Sequence, residues 1–105
     1  VTNALAPVTI LSDDGAITMN GSVTGRNGIE VWSNGAGNIT LGDAISTDQQ
    51  NGNISIKTNT GNISAKGAIT ATGNAATITI DTVTSGNITL DGNISTSGGG
   101  NINLG

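Results

Sequence analysis

The amino-acid sequence predicts an all-β fold, a right-handed parallel β-helix (β-solenoid) with three short strands in each coil of about 22–25 residues. One observation behind this prediction is composition: 34% of the 105 residues are hydrophobic, yet the chain has one Trp and no Phe or Tyr. Its 14 Ile lie among 17 Gly, 14 Asn and 16 Thr, a mixture that favours short strands joined by tight turns.

The second observation is a three-part repeat of apolar–polar–apolar segments. The first segment occurs at 17–19, 39–41, 63–65 and 88–90, and the second begins six residues after each first one. The third segment occurs at 29–31, 54–56, 78–80 and 102–104. The predicted core ladder consists of the leading residues: Ile17, Ile39, Ile63 and Ile88; Val23, Ile45, Ile69 and Ile94; and Ile29, Ile54, Ile78 and Ile102.

Alternation with a period of two indicates strands with one buried face. Strands this short are stable only when like strands of successive coils pair in parallel and bury a shared core. Parallel crossovers favour the right-handed path. The sequence therefore predicts three columns of inward apolar residues.

A Gly-Asn pair closes each unit, so the predicted coils run over 17–38, 39–62 and 63–87, or 22, 24 and 25 residues by count. The corner residues Asn38, Asn62 and Asn87 then share one column, where amide side chains can hydrogen-bond from coil to coil.

The whole chain, residues 1–105, is expected to form a single stack of about four coils, with partial coils at both ends and no evident caps. Uncovered strand edges favour pairing with further strands. We therefore expect the partners to be copies of the chain, or adjoining coils of one long chain, stacked end to end.

The charge balance excludes several classes of partner. The net charge is −4, and the three basic residues Arg26, Lys57 and Lys66 cannot neutralise a run of phosphates, so no nucleic-acid partner is expected. No apolar run approaches the roughly 20 residues of a membrane span, so membrane insertion is not expected.

Catalysis is not expected either. The chain has no His, Cys or Tyr, and its seven acidic residues are spread over different positions of the repeat. Asp13 and Asp14 adjoin in a turn, and Asp43 and Asp91 flank Lys66 at nearly the same corner, which indicates turn capping and surface charge pairing. We predict no catalytic residue, no cofactor and no metal site.

One residue past the third segment, successive coils carry Trp32, Lys57 and Asp81. This surface column would allow a cation–π contact on one side of Lys57 and an ion pair on the other. An exposed Trp can stack on a sugar ring, which makes host or surface glycans candidate partners; it can equally cover a corner or contact a neighbouring molecule.

Two further features concern the surface. Asn-x-Ser/Thr tripeptides make candidate N-glycosylation sites of Asn20, Asn38, Asn53, Asn62, Asn87 and Asn93. Most of these tripeptides are also the Asn-Ile-Thr or Asn-Ile-Ser segments of the repeat itself. Columns of Thr resemble those of ice-binding solenoids, although the second outward position of the first strand is not Thr.

The runs GNITLGDAIST from Gly37, GNISAKGAIT from Gly61 and GNITLDGNIST from Gly86 resemble the repeats of filamentous haemagglutinin-like exoproteins of two-partner secretion. The resemblance covers essentially residues 15–105 and implies a right-handed parallel β-helix. It also implies a secreted structural protein at the bacterial cell surface, forming an adhesin stalk; a self-assembling extracellular fibre fits the open ends equally well. An ice-binding or carbohydrate-binding surface is the alternative.

Overall fold

The computed structural model describes residues 2–3, 8–25, 28–47, 52–73 and 75–105, which form a parallel β-solenoid of about four turns. Arg26 and residues 4–7, on which expectations about charge and capping fell, lie outside the described residues. All described regular structure is β, because β-branched residues alternate with polar ones while Gly and Asn interrupt them every few positions.

Three parallel sheets make up the solenoid, and each coil contributes one strand to each sheet. We call them sheets A, B and C. Sheet A contains β1 (Thr2–Asn3), β4 (Val23–Gly25), β7 (Ile45–Thr47), β10 (Ile69–Ala71) and β13 (Ile94–Thr96). Sheet B contains β2 (Val8–Ser12), β5 (Gly28–Ser33), β8 (Asn53–Thr58), β11 (Ile78–Thr82) and β14 (Ile102–Leu104). Sheet C contains β3 (Ile17–Met19), β6 (Ile39–Leu41), β9 (Ile63–Ala65) and β12 (Ile88–Leu90).

The register between coils is the one that the repeat predicts. Ile39 pairs with Ile17 and with Ile63 in sheet C, and the predicted core positions of sheets A and B align in the same way. The predicted fold class is thus confirmed as an all-β parallel solenoid with three strands per coil.

The inward side chains form one core along the stack. Ile39, Ile54 and Ile78 are fully buried, because each lies between equivalent residues of the coils above and below. The last coil differs: Ile88 and Ile94 are partly buried, and Ile102 is 40% exposed. Ile102 continues the core column of Ile54 and Ile78, and its exposure follows from the pairing of β14 with β11 on one side only.

The corner glycines allow the coils to approach closely. A Cβ atom at Gly61 would collide with the carbonyl oxygen of Gly37, and one at Gly86 would collide with that of Gly61. Gly86 also has a φ of +124°, a backbone conformation that residues with a side chain rarely adopt. The Gly of each Gly-Asn pair is thus required by the spacing between coils.

Candidate functional site

Sheet B presents the widest outward surface. The central strands β5 and β8 are six residues long, whereas the strands of sheets A and C beyond β1 are three residues long. Each long strand therefore turns at least two side chains outward. Glu30 and Trp32 project from β5, and Ser55 and Lys57 project beside them from β8.

The Trp32, Lys57 and Asp81 column lies in register across three coils. Lys57 is the cross-strand partner of Trp32 on one side and of Asp81 on the other, and Leu11 continues the column beyond Trp32. Within the described ranges, however, neither an ion pair nor a cation–π contact joins these side chains. The column is an aligned set of separately solvated groups.

Two shallow depressions adjoin Trp32, whose side chain is 41% exposed. One, of about 420 Å³, is lined by Leu11, Ser12, Asp13, Trp32 and Asn34. The other, of about 180 Å³, is lined by Glu30, Trp32, Ser55, Lys57 and Val83. The indole ring thus forms a wall shared by both depressions.

The acidic residues are dispersed. Asp43 accepts a hydrogen bond from the N–H of Ala44 at 2.7 Å, so it caps its own turn. Lys66 and Asp91 follow equivalent strands of sheet C, but Asp43 lies one position further along its coil, since Gly42 occupies their column. The expected Asp–Lys–Asp ladder is therefore displaced by one residue, and no ion pair links its members within the described chain.

Asp14 bridges two coils. Its carboxylate accepts a hydrogen bond from the N–H of Ala36, 22 residues further on, at 3.1 Å. Among the described residues, no group of three or more His, Cys, Asp or Glu side chains could hold a metal ion. In the same part of the chain, no helix is long and apolar enough to cross a membrane.

The Asn column forms a ladder, with backbone donors. The side-chain oxygen of Asn38 accepts the N–H of Asn62 at 2.8 Å, and that of Asn62 accepts the N–H of Asn87 at 2.9 Å. Asn53 makes the same contact with the N–H of Thr77 at a second corner. In each case the amide oxygen of one coil bonds to a backbone N–H of the next coil.

A set of buried hydroxyls was not anticipated from the sequence. The Thr58 hydroxyl donates to the carbonyl of Gly37 at 2.9 Å and accepts from the N–H of Gly61 at 3.3 Å. The Thr47 hydroxyl donates to the carbonyl of Gly52 at 2.6 Å and accepts from the N–H of Thr72 at 3.0 Å. Both side chains are buried, so they satisfy corner backbone groups that water cannot reach.

All six candidate glycosylation residues are exposed. The amide oxygens of three, Asn38, Asn53 and Asn62, bind the next coil, which fixes the direction in which each amide nitrogen points. Glycosylation at any of the six stays a prediction.

Comparison of the chain with protein-family models, with curated proteins and with solved structures finds no match. The likeness to filamentous haemagglutinin repeats therefore stays a prediction, supported by the repeat text and by the solenoid architecture that it implies.

Proposed function

We propose that the chain is a structural, non-catalytic segment of an extracellular β-solenoid. The observation that carries this proposal is the unbroken register of all three sheets, in which each coil serves as the template for the next. A protein built in this way gains length by adding coils, while its cross-section stays constant. Such an element suits a stalk or a fibre.

The end face of the last coil supports continuation of the stack. Ile102 and Leu104 are 40% and 53% exposed, although their partners Ile78 and Ile80 are fully buried. A depression of about 420 Å³ opens between Leu104 and the apolar residues of β12. Another coil placed there would cover these side chains and pair with the free edges of the three sheets.

Two arrangements supply that coil, and the proposal includes both. In the first, the described coils belong to the stalk of a bacterial surface adhesin, and adjoining coils of the same chain cover the end. In the second, copies stack head to tail as a fibre, which is an assembly that does not close. The likeness to two-partner-secretion exoproteins favours the first.

Ice binding has less support than a structural role. Such a surface requires flat rows of two outward Thr per strand, and the three-residue strands of sheets A and C present one outward residue each. The longer strands of sheet B carry Glu30, Trp32 and Lys57 at their outward positions.

The test is the mass and location of the native polypeptide in its source. We expect an antibody against the chain to label intact cells or the medium. A denatured mass near 10.2 kDa would favour the fibre, and a mass many times larger would favour the stalk. Labelling that appears only after cell lysis would contradict the proposal.

A further inference from the structure

Exposed large apolar side chains occur at two places on the described surface. Ile102 and Leu104 belong to the end face discussed above. The other three are Leu11, Trp32 and Val83, at 62%, 41% and 56% exposure, and all three line the depressions of sheet B. End-to-end stacking leaves this second group uncovered, since it lies on the side of the solenoid.

Polar side chains surround the indole ring and lack partners of their own. Asp13 and Asn34 lie on one side of Trp32, and Glu30 and Lys57 lie on the other. Within the described chain, none of these four side chains makes a hydrogen bond or an ion pair, and neither does the indole N–H. They are free to bind a ligand that carries donors and acceptors at its rim.

An exposed aromatic ring bordered by free hydrogen-bonding groups matches the chemistry of a pyranose sugar. Its ring presents C–H bonds that pack on the face of an indole, where the π system is negative. Its hydroxyls lie around the edge of the ring, where they can bond to carboxylates, an amide and an ammonium group.

The local charge selects among glycans. The two depressions contain two carboxylates, Asp13 and Glu30, against the single ammonium group of Lys57. A sulfated or sialylated glycan would bring further negative charge to a surface that already carries an excess of it. An uncharged glycan avoids this repulsion and can still bond to all three groups.

The spacing of the strands indicates more than one sugar unit. Leu11 and Lys57 lie on the strands next to that of Trp32, each about 4.8 Å away along the solenoid axis. A chain of sugars running along the axis would therefore contact both depressions. We propose that the sheet B surface formed by Leu11, Asp13, Glu30, Trp32, Asn34 and Lys57 binds an uncharged oligosaccharide. This proposal is independent of the end-to-end stacking.

The chain has a single Trp, so its fluorescence reports on this site alone. The probes are cellotetraose, chitotetraose, mannotetraose and maltotetraose, with a heparin tetrasaccharide and tetramethylammonium as competitors of other chemistry. We expect at least one uncharged tetrasaccharide to give a saturable fluorescence change, and to bind more tightly than either competitor.

Variants measured by saturation-transfer NMR locate the binding. Trp32→Ala should weaken it at least about tenfold, whereas Trp32→Phe should weaken it less because a ring remains. Glu30→Ala, at an exposed position that leaves the core intact, should weaken it several-fold. Thr89→Ala, on the outward face of sheet C, is the matched control and should leave it unchanged.

Three results would overturn the proposal. The first is the absence of a saturable signal with all four uncharged probes. The second is undiminished binding by folded Trp32→Ala or by Glu30→Ala. The third is tighter binding of the heparin tetrasaccharide or of tetramethylammonium, which would indicate an anionic glycan or a quaternary amine as the ligand.

Discussion

Single residues at the corners stabilise this solenoid together with the apolar columns. Each corner turns the chain from one sheet into the next and leaves backbone groups that no strand satisfies, and water is excluded from those that face inward. Thr47 and Thr58 supply hydroxyls to the inner groups, and Asn38 and Asn62 supply amide oxygens to the outer ones. The corners are thus specified by side chains that bond to backbone, from one coil to the next.

Thr58→Val tests the role of the buried hydroxyl. Valine keeps the shape but removes the bonds to the Gly37 carbonyl and the Gly61 N–H. Leaving such groups without partners should lower the free energy of unfolding by about 1–3 kcal/mol, measured by chemical denaturation.

Thr79→Val is the matched control. Thr79 lies on the outward side of β11, where its hydroxyl has no partner among the described residues, so the change should stay within about 0.5 kcal/mol. Equal losses for the two variants would contradict the assigned role of Thr58.

The strands were the most predictable part of the fold. Their positions and register follow from apolar spacing, because a strand shifted by one residue would expose its Ile side chains. The inward hydroxyls could also have been predicted, since the position after the Trp32 column carries a hydroxyl in successive coils. These residues are Ser12, Ser33, Thr58 and Thr82. These positions alternate with the outward column along each strand, so Ser33 and Thr58 point inward, where both are buried.

Side-chain contacts at the surface were less predictable. Lys57 has the predicted neighbours, but the pairing that they allow does not form, because long solvated side chains gain little from it. Asp43 lies one residue beyond the column of Lys66 and Asp91, although the turn has the same length in all three coils, because Gly42 occupies the equivalent position. The depressions around Trp32 are lined partly by turn residues, among them Asp13, Asn34 and Val83, so the sequence indicated the exposed ring without its surroundings.

Duplication of one coil tests whether the coil is the structural unit of the solenoid. Inserting a second copy of residues 39–62 after Asn62 adds one strand to each sheet and one more interface between coils. The denaturation midpoint should rise, because stability in a solenoid grows with the number of stacked neighbours.

A half-coil insertion is the control. Duplicating residues 39–50 alone adds strands to sheets A and C without one in sheet B, which breaks the register of the following coils. Its midpoint should fall below that of the original chain. Equal tolerance of both insertions would contradict the coil as the structural unit.

At the scale of the whole molecule, two surfaces expose large apolar side chains, and they face in different directions. The end face, with Ile102 and Leu104, lies along the axis and fits another coil. The Trp32 surface lies on the side and stays accessible in a stack of any length. A stalk or a fibre would therefore display one such surface for each copy of these coils.

Stacking through the end face is the central claim, and sedimentation velocity over a wide concentration range tests it most directly. The account predicts that the chain associates into progressively larger particles, because buried core columns end in exposed apolar side chains. Ile102→Asp, which places a charge on the end face, should remain monomeric. Asn103→Asp introduces the same side chain on the outward side of the same strand, and this variant should associate like the original chain. A chain that stays monomeric at every concentration would contradict the fibre arrangement, and an Ile102→Asp variant that associates normally would contradict stacking through the end face.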